Sequence, residues 1–167
     1  VIDTGELLDV ARLLVAGGDG VVTDGRIRRS ISAAYYALFH TIVRAGAERF
    51  FGAVDPVKPG YAVLYRAFSH NRMKTLCSSV DRSPLPRNLQ RQLGRSSIHS
   101  DIRDFAGTFI VLQEARHLAD YDPLAHLVVQ DALDLIDQTQ LAIDAVQRAP
   151  SDQLADFLAL MLVQARD

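Results

Sequence analysis

Apolar residues recur at three- and four-residue intervals along nearly the whole chain, and no long Val/Ile/Thr alternation breaks that rhythm. The pattern therefore predicts helices and gives strands little support. The two Asp-Gly pairs, Asp19-Gly20 and Asp24-Gly25, sit in a Gly-rich linker rather than between alternating apolar runs. Leu7, Leu8, Ala11, Leu14 and Val15 predict a first helix over about Asp3 to Val15, with Asp3 and Glu6 as a capping pair and Gly17-Gly18 as a stop. A longer helix over about Asp24 to Phe50 has two faces. Ile27, Ile31, Ala34, Leu38, Ile42 and Ala45 form one stripe, and Arg29, Ala33, Tyr36, His40, Val43, Ala47 and Phe51 form another. A helix used on both sides belongs at the centre of a bundle.

Asp55-Pro56 and Pro59-Gly60 break the chain before a helical region from about Tyr61 to Val80, bent near His70-Asn71. The connector Arg82 to Pro86 leads to a short helix bearing Leu89 and Leu93, which Gly94 stops. Ser97 or Ser100 can cap the next helix, which ends near Tyr121. Asp122 and Pro123 read as the cap and first residue of another helix carrying Val128, Val129, Ala132, Ile136, Ile143 and Val146. A final helix, Asp152 to Ala165, is apolar around most of its circumference. The expectation is an all-α, antiparallel up-and-down bundle of about four to five main helices plus a C-terminal helix. It forms one domain over residues 1–167, with its core over about 3–148 and an accessory helix at 151–166.

One stripe carries charge where it should carry oil. At 100° per residue, Ile102, Phe105, Ala106, Phe109 and Leu112 line up, and Arg116 and Asp120 continue the same line. Burying either charge alone would cost several kcal/mol or more, so the two must be satisfied by partners or open onto a cleft. An intrahelical ion pair and a phosphate-facing Arg held by Asp both fit that spacing.

Length and composition narrow the setting. A chain of 167 residues with 49% hydrophobic residues is long enough for one sizeable core. Cys77 is the only cysteine, which excludes an internal disulfide and a thiolate zinc site built from this chain alone. No apolar run approaches the length of a membrane span and no secretory leader is evident, so a cytoplasmic protein without membrane attachment is expected. The net charge of −2 hides an asymmetry. Residues 66–100 hold seven Arg or Lys against the single acid Asp81, whereas residues 117–167 hold two Arg against nine Asp. The two regions can face each other across the fold or a dimer contact, or the basic one can bind a polyanion.

Two stretches are recognisable together: Ser30-Ile31-Ser32-Ala33-Ala34-Tyr35-Tyr36-Ala37-Leu38-Phe39-His40 and Arg116-His117-Leu118-Ala119-Asp120-Tyr121-Asp122-Pro123. They resemble the HEPN family, the higher eukaryote and prokaryote nucleotide-binding helical domains, and in particular its small bacterial branch. The resemblance implies a helical bundle that pairs into a homodimer around a cleft lined by both stretches. It also implies RNA or a nucleotide as ligand, a toxin–antitoxin or RNA-defence setting, and a nucleotidyltransferase-type protein partner. No cofactor is implied. Many members are metal-independent endoribonucleases whose signature is an Arg and a His with roughly four to six residues between them. Arg116 matches the Arg, but Tyr121, Asp122 and Pro123 stand where that His belongs. The resemblance therefore implies a binding module with a degraded nuclease signature, with an endoribonuclease and a protein-interaction module as alternatives.

Candidate site residues follow. Arg29, Tyr36 and His40 share a helix face and can supply a cation, a stacking phenol and an acid–base group, alongside Arg116, Asp120 and Tyr121. Packing explains Tyr36 and His40 equally well. Were the chain a nuclease, Arg116 would counter phosphate charge, and His117, His40 or His126 would supply the imidazole. His117 projects about 100° around the axis from Arg116. Arg87 and Arg91, one turn apart, are candidate phosphate contacts. Glu114 and His117 have the Glu-x-x-His spacing of di-iron bundles, but only Glu6 and Glu48 remain to complete such a centre, so the count excludes it. Cys77 reads as a small buried residue.

Overall fold

A computed structural model of the chain describes residues 2–17, 20–52 and 59–163. The described residues form eight helices and no strand: α1 (Thr4–Val15), α2 (Asp24–Phe51), α3 (Pro59–Ala67), α4 (His70–Val80), α5 (Arg87–Leu93), α6 (Ser100–Tyr121), α7 (Val129–Arg148) and α8 (Ser151–Leu162). The fold is an all-α helical bundle. Gly18, Asp19, Asp55-Pro56 and the last residues of the expected C-terminal helix, from Gln164 on, lie outside the described residues.

Helix α2 is the hub. It packs against α1, α6, α7, α3 and α8, and Ile31, Ala34, Tyr35, Ala37, Leu38, Ile42 and Val43 lose all exposure. Alanines on that helix keep its girth small, so neighbours approach on several sides. Gly46 shows the limit of that approach: a Cβ there would lie 2.5 Å from the buried Phe68 ring. On α6, Ile102, Phe105, Ala106, Phe109 and Leu112 are buried along the stripe the spacing predicts. Phe109 reaches Tyr35 of α2 and Phe105 reaches Phe157 of α8, at ring separations of 5.7 and 5.9 Å. Phe157, Leu158 and Met161 of α8 belong to the same core.

Three local expectations change. The region from Tyr61 to Val80 is two helices, because Phe68 turns into the core and Ser69, with extended dihedrals, ends one helix and starts the next. Helix α6 is capped by His99, whose Nδ1 accepts from the Asp101 N–H at 3.3 Å, rather than by Ser97 or Ser100. Asp122-Pro123 does not begin a helix. Asp122 closes α6, its Oδ1 accepts from the Leu124 N–H at 2.8 Å, and α7 starts only at Val129. There the Asp131 carboxylate accepts from the Val128 N–H at 2.8 Å. Arg28 explains the postponed start. Its guanidinium donates to the carbonyls of Ala119, Asp122 and Ala125 at 3.0, 2.8 and 2.9 Å, so these oxygens of the turn are satisfied without a helix.

Candidate functional site

The site lies where α2, α4 and α6 meet. Ser32 and Tyr36 sit one turn apart on α2, and Arg116 and Asp120 one turn apart on α6, so the two pairs face each other. Ser32 Oγ donates to Asp120 Oδ1 at 2.7 Å, and Arg116 Nη2 donates to the Tyr36 hydroxyl at 3.1 Å. Arg116 Nε lies 2.9 Å from Asp120 Oδ2, with both side chains 21% exposed. That contact is ionic, because the Nε–H does not point at the oxygen and finds no other acceptor. The guanidinium also rests 5.3 and 5.4 Å from the Tyr36 and Tyr35 ring centres, a favourable seat for a cation on aromatic faces. Arg116 is thus fixed by a carboxylate, a phenol and two rings.

Its remaining surface faces outward. Arg116 lines an open cleft of about 860 Å³ together with His70 and Lys74 of α4 and Glu114, His117 and Tyr121 of α6. Lys74 Nζ and Glu114 Oε1 pair across the cleft at 3.1 Å. Both cations therefore start with a carboxylate partner. His117 and Tyr121 lie side by side on the cleft wall with ring centres 5.0 Å apart.

His70, the first residue of α4, is the member the sequence pattern did not reveal. Its Nδ1 is hydrogen-bonded to the Tyr35 hydroxyl, and its ring stacks on Phe39 at 4.0 Å. Burial, and then the Arg116 charge, hold its pKa below the ordinary histidine value. Burial also pushes the Tyr35 phenol well above its ordinary value. The phenol therefore keeps its proton, and because a hydroxyl both donates and accepts, its bond to Nδ1 suits either tautomer of neutral His70. The ring lines the cleft, and its second nitrogen makes no hydrogen bond among the described residues.

The other sequence candidates divide. Tyr36, Arg116 and Asp120 are joined directly, and His117 and Tyr121 share the cleft. His40 stacks on Tyr36 at 6.0 Å but is turned toward α3, where Nδ1 meets the Tyr65 hydroxyl at 2.7 Å. Burial, and then His70, lower its pKa, while burial pushes Tyr65 up to about 12. Arg29 is exposed and makes no ion pair or hydrogen bond with the site, and Arg28 beside it is the residue that reaches α6. His126 lies exposed on the α6–α7 connection, apart from the cleft wall. Arg87 and Arg91 line a separate depression on α5.

The basic segment does not gather at Arg116. Lys74 alone of its cations lines the cleft, and Arg95 is committed to Asp156 and Asp152 of α8 at 2.9 and 3.8 Å. Among the described residues no cluster of His, Cys, Asp or Glu has the makings of a metal site, and no helix is long and apolar enough to cross a membrane. Cys77 is buried, and burial raises its thiol pKa far above the ordinary value, as befits a small core residue. Comparison with protein-family models, curated proteins and solved structures gives no match to this chain.

Proposed function

We propose that this chain is a HEPN-like module that binds one nucleotide unit, free or as an unpaired residue of RNA, with its phosphate on Arg116. The observation that carries this reading is the position of Arg116. Asp120, Tyr36 and two aromatic rings fix the guanidinium, and it still lines an open cleft. A pre-positioned fork of N–H donors is suited to a phosphate, because little side-chain freedom remains to be lost on binding. Binding fits the site better than cleavage does. The imidazole of the family signature is missing, because Tyr121, Asp122 and Pro123 stand where it belongs. Cytoplasmic homodimers in a toxin–antitoxin or RNA-defence setting, with a nucleotidyltransferase-type partner, are the context the family resemblance implies.

The test is fluorescence anisotropy with a short single-stranded RNA across a range of salt, followed by inspection of the recovered RNA. Wild-type protein should bind it and leave it intact without added metal, and Arg116→Gln should weaken binding at least about tenfold. The log–log salt slope should be close to about −1, as one or two phosphate contacts require. Metal-free cleavage that disappears in Arg116→Gln would establish the endoribonuclease alternative instead. Binding indifferent to Arg116 would remove the site altogether.

A further inference from the structure

Beside Arg116, the cleft wall of α6 carries a strip of side chains that neither the Arg116–Asp120 pair nor the core uses. Glu114, His117, Leu118 and Tyr121 stand at i, i+3, i+4 and i+7, so they share one face of the helix. All four line the cleft. Tyr121 is 65% and Leu118 45% exposed, and the Glu114 side chain is 60% exposed. The His117 and Tyr121 rings, inclined at 46° to each other, form an open aromatic ledge, and Leu118 lines the cleft beside them. One turn along the strip stands a carboxylate with one oxygen on Lys74 and the other without a partner among the described residues.

We infer that this strip is a nucleobase subsite, with the base stacked on the exposed Tyr121 ring against the inclined His117 and its N–H edge on Glu114, and that it prefers guanine. The inference rests on the nucleotide-binding reading above, which places the phosphate on Arg116. Its chemistry comes from the strip alone. An open aromatic ledge accepts a base whose face is free, which excludes paired bases in a duplex. A carboxylate accepts only, and its two oxygens match two adjacent donors. Guanine presents such a pair, the N1–H and the 2-amino group, whereas the corresponding edge of adenine offers one donor beside a lone pair. The exposed bridge to Lys74 is weak, so Glu114 can turn to the base at small cost, and the Lys74 ammonium released by that turn is left for a phosphate oxygen.

Calorimetric titration with guanosine 5′-monophosphate, adenosine 5′-monophosphate and ribose 5-phosphate tests this directly. Guanosine monophosphate should bind about tenfold or more tighter than ribose 5-phosphate. Tyr121→Ala should erase most of that advantage and leave ribose 5-phosphate unchanged, while Tyr121→Phe keeps it. Glu114→Gln should abolish the preference for the guanine over the adenine nucleotide. Both positions are exposed, so these variants fold. Equal affinity for the nucleotides and ribose 5-phosphate, or equal losses for all three in Tyr121→Ala, would overturn the base subsite and leave the phosphate reading standing. Equal affinity for the two nucleotides would overturn the role of Glu114. No binding of any of the three, or binding unaffected by Arg116→Gln, would overturn the phosphate reading and the subsite together.

Discussion

A half-buried Arg–Asp pair contributes to stability only when its geometry and its further hydrogen bonds offset the loss of water around two charges. At Arg116 and Asp120 the further hydrogen bonds come from α2, through Ser32 and Tyr36, rather than from within α6. His70 obeys the same rule by remaining neutral. Burial and Arg116 hold His70 below its ordinary 6.5, and burial and His70 lower His40 in the same direction. Between those lowered values and 6.5 the unfolded chain binds more protons than the native one. Histidine-linked stability is therefore fully present above 6.5 and is lost as pH falls through that window. Urea midpoints measured from about pH 8 to about pH 5 should decline, and His70→Gln should decline less steeply. Parallel curves for the two proteins would show that His70 is not held neutral.

At the scale of elements, one side chain of α2 fastens the C-terminal end of α6. Arg28 gathers the carbonyls at the end of α6 and in the following turn, and its Nε is paired with Asp24 at 2.6 Å. Arg28→Ala should destabilise the protein by about 2–4 kcal/mol in chemical denaturation, because several carbonyls lose their donor at once. Arg28→Lys should recover less than half of that, since one ammonium cannot reproduce the planar fork. A loss below about 0.5 kcal/mol would mean that water serves those carbonyls equally well. Gly46 tests the other end of α2. A methyl group there meets the buried Phe68 ring, so Gly46→Ala should cost about 1–3 kcal/mol despite its better helix propensity. A stabilising Gly46→Ala would show that the contact between α2 and Phe68 yields freely.

For the molecule as a whole, helical periodicity carried most of the architecture, because a bundle is built from stripes that each helix shows on its own. The positions of α1, α2 and α5 and the charged end of the α6 stripe follow from that. Turns were harder to read. Asp122-Pro123 has the chemistry of a helix start, but Arg28, distant in sequence, satisfies the turn in another way. Arg28 and Arg29 are adjacent, and only the packing of α2 on α6 tells them apart. His70 stayed hidden for the same reason: its partners Tyr35, Phe39 and Arg116 lie on other helices. The basic middle of the chain was legible as charge but not as a site, since Lys74 pairs with Glu114 and Arg95 with the acidic residues of α8. The central claim is that phosphate goes to the Arg116 cleft and not to the basic helix α5. It is tested most directly by measuring the affinity of one single-stranded RNA for Arg116→Gln and for the double variant Arg87→Gln/Arg91→Gln in parallel. Arg116→Gln should weaken binding about tenfold or more and the double variant less than about twofold, whereas the reverse order would contradict the account.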